Sequence, residues 1–316
     1  MTASLPIPDE VLRRAGIDAG QVRVLDDRIP NWRVTIAGQP AVLKRDWHLD
    51  ESDIAWEHQF LTRLAAIGFP APRPITAFAG RSWLATRGGL WTLVSFQPGH
   101  TLGWEDQPDL GEVGRFIARY HDAVEHLEIE AARPLVPSID QLATLAPWDR
   151  LERTLHGRDG VGRFRKHLEQ TMDELAETGH AAAPPLFIHG DFTTDNILID
   201  GEPPIIVGAI DFALTNREIA LADLAFGLWR SGRPEGQAMT LDPTRVAALV
   251  AGYASRRELP AATARAFPAY LKARGLQLIV RATRAGAMNC SPALGRVDQI
   301  AAQEEQLRAA VSAVLD

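Results

Sequence analysis

The sequence is poor in cysteine and in long apolar runs. Its 316 residues contain one cysteine, Cys290, so no internal disulfide can form and a reducing, cytoplasmic location is expected. No stretch approaches the roughly 20 apolar residues of a membrane-spanning helix, and the N-terminal residues lack the features of a secretory signal. The net charge of -7 argues against a general nucleic-acid binder. We therefore expect a soluble protein that binds neither nucleic acid nor membrane.

The first third of the chain combines short strands with one helix. Apolar and β-branched runs between turn residues predict strands at 22–25, 32–36, 41–44, 75–78, 82–86 and 91–96. A helix is expected from about residue 50 to residue 67, because its apolar residues share one face and Gly68 and Pro70 supply a stop. This order predicts a small α+β lobe over residues 1–94.

Beyond residues 95–99 the pattern becomes mainly helical. Helix-like spacing of apolar residues covers six segments, at 109–127, 161–178, 219–229, 243–255, 261–287 and 298–314. Between the second and third of these segments, residues 186–210 contain three short apolar runs that predict strands, at 186–188, 197–199 and 205–210. We therefore predict a larger, mainly helical second lobe over residues 100–316, with 95–99 as the hinge.

The strongest motif lies in and directly after this region of predicted strands. It consists of His189-Gly190-Asp191, then Asn196 five residues after the aspartate, then Asp211 fifteen residues further on. Phosphoryl transfer needs a carboxylate near the attacking hydroxyl and oxygen ligands for magnesium on the phosphates. A strand, loop, strand, turn, strand path would bring the three polar side chains to one end of a hairpin. Asp191 can then serve as the base, while Asn196 and Asp211 supply oxygen atoms to a hard cation.

These residues resemble the motifs of the aminoglycoside phosphotransferase and choline kinase superfamily, which includes the type II homoserine kinases. Its members carry His-Gly-Asp, four residues, Asn, and later Ile-Asp-Phe or Ile-Asp-Trp. The resemblance covers residues 22–253 and implies a protein-kinase-like, two-lobed α+β fold. It also implies ATP, with GTP possible, and Mg²⁺ as cofactors, Asp191 as the catalytic base, and Asn196 and Asp211 as magnesium ligands. The alternative interpretation is a surface hairpin with incidental acids.

Two further residues of the second lobe are interpreted as structural support. Asp223 stands in Ala-Asp-Leu-Ala on a predicted helix, similar to a motif of the superfamily. A half-buried carboxylate in such apolar surroundings needs partners, so Asp223 is expected to brace the backbone of the catalytic loop. His189 is interpreted as a hydrogen-bonding residue of that loop and not as a base.

Lys44 and Glu57 are expected to form an ion pair at the nucleotide phosphates. Lys44 ends a strand, as the phosphate-binding lysine of kinases does, and Glu57 lies on the apolar face of the following helix. A carboxylate that points inwards needs a cation. Two solvated charges are the alternative interpretation.

The remaining nucleotide contacts are predicted from loops. The loop 27–32, which is expected to cover the phosphates, has no glycine, but its Asn31 is similar to the pattern of the superfamily. The hinge from Ser95 to Gly99, which includes Gln97, resembles hinges of the superfamily. Its backbone is expected to contact the purine edge.

The class of acceptor is predicted from charge. Residues 243–297 contain nine basic residues and one acid, Glu258, which gives +8 inside a chain of -7. Arg274, Arg281 and Arg284 are spaced by seven and three residues and so share a helical face. In the superfamily the late helices help to build the acceptor site, and a basic lining suits a carboxylate or phosphate. A homoserine-like acceptor, anionic or zwitterionic, is favoured over a polycationic antibiotic, with solvated or internally paired arginines as the alternative.

Other activities stay open. The nearest alternative is an O-phosphotransferase that inactivates a hydroxylated antibiotic. His121-Asp122 could belong to a metal-dependent phosphohydrolase of the His-Asp type, although a histidine at a helix end is more often a cap or a core residue. A catalytically inactive, kinase-like binding module is disfavoured because all the motif residues are intact. A protein kinase is disfavoured because Ala222 follows Asp211 by eleven residues, which leaves little platform for a peptide.

Overall fold

The computed structural model describes residues 7–26, 31–46, 49–102, 109–129, 138–179, 184–231, 240–260 and 262–315. The chain forms two compact units. The first consists of Met1–Gly99 with Val207–Ile210, and the second of His100–Ile206 with Asp211–Asp316. Within the described ranges, no helix is long and apolar enough to cross a membrane.

The first unit is built on a five-stranded antiparallel sheet in the order β1-β2-β3-β5-β4. Its strands are β1 (Arg23–Asp26), β2 (Asn31–Ile36), β3 (Gln39–Asp46), β4 (Trp83–Thr86) and β5 (Gly89–Ser95). Alternation along the strands turns Trp32, Leu43 and Leu93 to one face, where they are buried. Trp32 stacks on Trp91 with ring centroids 5.5 Å apart. The aromatic and aliphatic side chains of this face therefore form the core of the first unit.

Two helices complete the first unit, α1 (Asp9–Ala15) and α2 (Glu51–Ala66). A reciprocal capping box fixes the start of α2, since Asp50 accepts from the Asp53 N–H and Asp53 accepts from the Asp50 N–H. The strand predicted at 75–78 is wrong. Only isolated bridges occur there, at Pro74–Val94 and Phe78–Arg81, because prolines in the preceding residues lack the N–H donors of a ladder.

The second unit is mainly helical. Its helices are α3 (Leu110–Val124), α4 (Leu142–Leu145), α5 (Trp148–Thr154), α6 (Arg158–Glu177), α7 (Ala220–Ser231), α8 (Pro243–Ala254), α9 (Thr263–Arg284), α10 (Ser291–Ala302) and α11 (Glu304–Leu315). The single helix predicted over 298–314 is wrong, because α10 and α11 meet at Gln303. The Gln303 side chain accepts from the Leu241 N–H and donates to the Leu241 carbonyl, which holds the break in place.

Helices α3 and α8 approach each other closely enough for their backbones to touch. A Cβ added at Gly114 of α3 would lie 2.1 Å from the Leu249 carbonyl oxygen, and one added at Gly252 of α8 would lie 1.9 Å from the Gly111 carbonyl oxygen. Glycine is therefore required at both positions. The contact places the first turns of α3 against the last turns of α8.

Two further small sheets are present. Strand β7 (Leu186–Ile188) pairs with β10 (Asn216–Glu218) in an antiparallel ladder. The other sheet has the order β6-β8-β9, with β6 (His100–Thr101), β8 (Ile197–Asp200) and β9 (Ile205–Ala209). The expected path of strand, loop, strand, turn and strand is present, with β8 and β9 as neighbours in one sheet and β7 in a different sheet. The predicted fold class is confirmed: a β-rich first unit precedes a larger, mainly helical second one.

Candidate active site

The predicted catalytic loop, residues 189–196, connects β7 to β8 in the second unit. It needs its glycine for two reasons. Gly190 has a positive φ of 77°, and a Cβ there would lie 2.4 Å from the Leu214 carbonyl oxygen. The central residue of His-Gly-Asp therefore lets the loop turn tightly against the segment that follows Asp211.

Asp223 of α7 holds the start of this loop. Its side chain is fully buried. Its Oδ2 accepts from the His189 N–H at 2.9 Å, and its Oδ1 accepts from the Gly190 N–H at 2.9 Å. Both carboxylate oxygens are thus used to fix backbone amides directly before Asp191.

The His189 ring is packed inside the loop. Its Nδ1 accepts from the Asp191 N–H at 3.2 Å, so that nitrogen carries no proton. The ring stacks on Phe192 with centroids 4.2 Å apart and lies 4.6 Å from the Phe212 ring. His189 is fully buried, and its observed contacts are those of a residue that shapes the loop.

The Asp191 carboxylate is held on one side and reachable on the other. Asn196 Nδ2 donates to the Asp191 carbonyl oxygen at 2.8 Å and to Asp191 Oδ2 at 3.2 Å. The Asp191 side chain keeps 32% of its surface exposed. An acceptor molecule can therefore reach a carboxylate whose orientation the protein already sets.

Arg274 of α9 places a positive charge beside that carboxylate. Its Nη2 lies 3.4 Å from Asp191 Oδ1, and its side chain is only 3% exposed. The guanidinium carbon lies 4.5 Å from the centroid of the Phe226 ring, a cation–π contact. Burial lowers the pKa of Arg274, and the charge of Asp191 opposes that shift. The loop thus presents Asp191 as one member of an ion pair with a buried cation.

Asp211 follows β9 in an unusual backbone conformation. Its φ of 64° and ψ of 67° place it in the left-handed region, which few residues other than glycine adopt, although aspartate tolerates it. The residue is exposed. Backbone strain of this kind is concentrated at functional sites, which makes Asp211 a candidate for one.

Several cations of the basic segment, residues 243–297, pair with acids elsewhere in the second unit. Arg256 and Arg257 pair with Asp122, Arg265 pairs with Glu177, and Lys272 pairs with Glu174 and Glu304. Of the three arginines predicted to line an acceptor site, Arg284 is exposed at the end of α9 and Arg281 is half-buried. Arg281 lies close enough to Arg274 to lower its pKa. Arg274 contacts Asp191.

His121 and Asp122 have different partners. His121 is fully buried, with Nε2 3.1 Å from Asp223 Oδ2 and Nδ1 2.8 Å from the Tyr253 hydroxyl. Asp122 accepts from Arg256 and Arg257. In the described part of the chain, no three His, Cys, Asp or Glu side chains are grouped so that they could hold a metal ion. No local signal marks Tyr253 in the sequence, because it lies 132 residues after His121.

The predicted nucleotide-binding residues of the first unit lie on the sheet and on α2. Asn31 of β2 is directly opposite Lys44 of β3 in the antiparallel register, so the two side chains are neighbours. Glu57 of α2 is buried, with 7% of its surface exposed. Its ion pair with Lys44 stays a prediction. Residues 27–30 of the predicted phosphate-covering loop lie outside the described residues.

Ser95 and Gln97 contact each other at the end of β5. Ser95 Oγ accepts from Gln97 Nε2 at 3.0 Å and from the Arg73 N–H at 2.9 Å. The Ser95 N–H donates to the Arg73 carbonyl, and the Phe96 N–H donates to the Pro40 carbonyl. Two backbone donors of the predicted hinge are therefore already used inside the first unit.

The sequence matches the phosphotransferase enzyme family over residues 21–259. It is 29% identical over 237 residues to the homoserine kinase of Agrobacterium fabrum, a match that covers 75% of this chain and 70% of that protein. The fold is similar to that of a microcompartment-associated aminopropanol kinase, with a TM-score of 0.69, 18% identity and coverage of 96% and 97% of the two chains. It is also similar to that of the amicoumacin kinase hAmiN, solved with AMP-PNP, Ca²⁺ and Ami, with a TM-score of 0.67, 17% identity and coverage of 98% and 94%.

Proposed function

The chain belongs to the phosphotransferase enzyme family, and from this premise we propose that it transfers the γ-phosphate of ATP to the hydroxyl of a small, carboxylate-bearing amino alcohol of the homoserine type. Its general activity is that of a phosphotransferase acting on a small-molecule hydroxyl group. The observation that carries the proposal is the Asp191 carboxylate, which is partly exposed and lies beside the buried Arg274 guanidinium.

Asp191 is proposed as the base. As the acceptor oxygen bonds to the γ-phosphorus and the bond to the β-phosphate oxygen breaks, the hydroxyl proton passes to Asp191. Two features support this role. Asn196 fixes one carboxylate oxygen, and Asp223 fixes the two amides that precede the residue. The carboxylate therefore needs little reorganisation when the acceptor arrives.

Asn196 and Asp211 are proposed to hold Mg²⁺. The Asn196 amide nitrogen is used by Asp191, which leaves the amide oxygen for a cation. Asp211 presents an exposed carboxylate from a fixed, left-handed backbone. Mg²⁺ in kinase sites is bound by one or two carboxylates together with substrate phosphates and water, and it neutralises charge on the phosphates.

The metal assignment has its own test. Asp211→Ala is expected to weaken the binding of the Mg²⁺–ATP complex more than the binding of ATP in EDTA. Calorimetric titrations with and without Mg²⁺ measure both affinities. Equal losses in the two titrations would refute a ligand role for Asp211.

The nucleotide is proposed to contact the first unit. Lys44, oriented by Glu57 and adjacent to Asn31, would bind the α- and β-phosphates. The buried Glu57 carboxylate supports this, because it requires a cation or donor partner. The backbone around Ser95 and Gln97 would contact the purine, and GTP remains a possible donor in place of ATP.

The acceptor class rests on Arg274. Its guanidinium lies within the ion-pair range of Asp191 and can bind an acceptor carboxylate with charge-assisted hydrogen bonds. A polycation at the same place would be repelled by it. The name of the Agrobacterium fabrum relative, homoserine kinase, supports the same class.

A matched pair of acceptors tests the substrate class. Homoserine and 3-amino-1-propanol share the hydroxyl, the chain and the amine, and they differ in the carboxylate. With ATP or GTP and Mg²⁺, we expect kcat/KM for homoserine to exceed that for aminopropanol by about tenfold or more, because a charge-assisted hydrogen bond contributes about 1.5–3 kcal/mol. An aminoglycoside completes the panel, at low and high salt. A preference for the aminoglycoside would overturn the proposed acceptor and favour the antibiotic phosphotransferase.

A further inference from the structure

A chain of buried hydrogen bonds leads from α8 to the catalytic loop. The Tyr253 hydroxyl lies 2.8 Å from His121 Nδ1, and His121 Nε2 lies 3.1 Å from Asp223 Oδ2. Asp223 in turn accepts from the His189 and Gly190 amides. Tyr253, His121 and Asp223 are each at most 1% exposed. The proposed roles of Asp191, Asn196 and Asp211 in phosphoryl transfer do not involve Tyr253.

The donors and acceptors in this chain can be assigned. The Asp223 carboxylate can only accept, so the proton of His121 lies on Nε2. Burial raises the pKa of Tyr253, with the neighbouring Arg257 opposing the shift, so the phenol keeps its proton. Its O–H then donates to the lone pair of His121 Nδ1. This assignment places the His121 proton on Nε2 and makes Nδ1 the acceptor.

We propose that Tyr253 is a positioning residue for phosphoryl transfer. By holding His121 in the Nε2–H tautomer, it keeps a donor aimed at Asp223, and Asp223 keeps the loop that carries Asp191 in place. The proposal rests on the role of Asp191 as the base in the proposed function. Tyr253 does not touch the reacting atoms, and its effect passes through two other side chains.

The surroundings of Tyr253 leave it little freedom. It directly follows Gly252, where α8 touches the backbone of α3, and α3 carries His121. One turn later, Arg257 donates to Asp122 and to Glu125, which ties the end of α8 to the same helix. The 2.8 Å bond between Tyr253 and His121 is thus set by the packing of α3 on α8.

The first test removes only the hydroxyl. Tyr253→Phe keeps the ring, and Tyr270→Phe is the matched control, because Tyr270 is 2% exposed and lies on α9 outside the chain of bonds. With homoserine as the acceptor, we expect Tyr253→Phe to lower kcat by about tenfold, the equivalent of one hydrogen bond. KM for ATP should change by less than about twofold. A kcat equal to that of Tyr270→Phe would overturn the proposal.

A spectroscopic measurement is independent of activity. In ¹⁵N spectra of the full chain labelled at histidine, His121 should show a protonated Nε2 and a hydrogen-bonded, unprotonated Nδ1. Tyr253→Phe should move the Nδ1 resonance towards that of an unbonded nitrogen, and Tyr270→Phe should not. A protonated Nδ1 in the wild-type protein would overturn the tautomer assignment.

Two substitutions of His121 distinguish the effect of its hydrogen-bond donor from the effect of its imidazole ring. In His121→Gln the amide Nε2 can still donate to Asp223, whereas His121→Leu leaves that buried carboxylate without one of its donors. We expect His121→Gln to retain most of kcat. Adding Tyr253→Phe to His121→Gln should then cost much less than it costs in the wild type, because the Nδ1 acceptor is gone. Full additivity of the two substitutions would contradict the proposal that Tyr253 acts through His121.

The failure of this proposal is distinguishable from that of the proposed function. Near-normal turnover in folded Asp191→Asn would show that Asp191 is not the base, and it would not affect the measurement of the His121 tautomer. Unchanged kcat in Tyr253→Phe together with an inactive Asp191→Asn would remove the role of Tyr253 alone.

Discussion

The catalytic loop and the basic segment were both selected from the sequence by their charged residues, and the fold uses them differently. At the loop, Asp223 of α7 accepts from two backbone amides, and Asn196 donates to the carbonyl and the carboxylate of Asp191. In the basic segment, at least four of the nine cations pair with acids away from Asp191. The fixed spacing of the motif therefore predicted which residues lie together, whereas the excess of positive charge did not predict which acid each cation meets.

Helix α9 shows this contrast over three residues. Lys272 is 2% exposed and donates to both oxygens of Glu174 and to Glu304. Arg274 is 3% exposed and lies against Asp191. The two cations are equally buried, yet one joins helices α6, α9 and α11, and the other reaches the loop. Burial alone therefore does not indicate which carboxylate a buried cation meets.

The largest expected effect is at the loop itself. Asp191→Asn should lower kcat by about two to four orders of magnitude, because a positioned base contributes about that much. The affinity for ATP, measured by calorimetry, should change little. Asp200→Asn, an exposed aspartate at the end of β8, is the control and should be nearly neutral. A folded Asp191→Asn protein with near-normal turnover would contradict the role given to the loop.

Gly252→Ala tests the close contact between α3 and α8. Its Cβ would lie 1.9 Å from a backbone oxygen of α3, so we expect a loss of about 3 kcal/mol in the free energy of unfolding, the upper part of the range for overpacking. Gly162→Ala on α6 is the control. No atom lies within 4 Å of that Cβ, so the substitution should stabilise the helix by about 0.5–1 kcal/mol. Denaturant unfolding of both variants measures the difference, and equal shifts would argue against close packing.

Lys272→Met should separate stability from catalysis. Removing the ammonium leaves Glu174 and Glu304 without their shared cation, and we expect a loss of about 2 kcal/mol. This value lies below the usual range for breaking a buried pair because both carboxylates are about a quarter exposed. Urea unfolding should show the loss while kcat stays within about twofold. A drop in kcat with unchanged stability would show that Lys272 contributes to catalysis and not to stability.

Arg274→Gln should show the opposite behaviour from Lys272→Met. We expect kcat/KM for homoserine to fall about 10- to 30-fold, while activity on 3-amino-1-propanol falls less, because the lost cation faces the acceptor carboxylate. Arg284→Gln is the control, because Arg284 is exposed and a substitution there should change kcat/KM by less than about twofold. Equal losses on the two acceptors would assign Arg274 to the orientation of Asp191 alone.

The residues of the catalytic loop could be predicted because their spacing is local. Five residues from Asp191 to Asn196 leave room for one tight loop, and the amide of Asn196 bonds back to the carbonyl of Asp191. Asp223 could be anticipated as a brace because a carboxylate among apolar neighbours requires partners. Its two amide partners lie 33 and 34 residues away in the chain.

Strand positions and strand pairing were predictable to different degrees. Apolar runs located β7, β8 and β9 to within about a residue, because alternation and turn residues are local signals. The pairing of β7 with β10 was missed, because β10 has three residues, Asn216–Glu218, with no apolar pattern. Its position in a ladder comes from Asp211–Thr215, which turns the chain back beside the loop.

The sequence by itself determined the fold class, the family and the loop that carries Asp191, since each depends on periodicity or on short, fixed spacing. Only the tertiary structure decided which cations meet which acids. It placed Arg274 at Asp191 and Lys272 between Glu174 and Glu304, and it joined Tyr253 to His121 across 132 residues. The physical reason is that a side chain's partner depends on how two helices pack, and α3 and α8 meet where two glycines let their backbones touch.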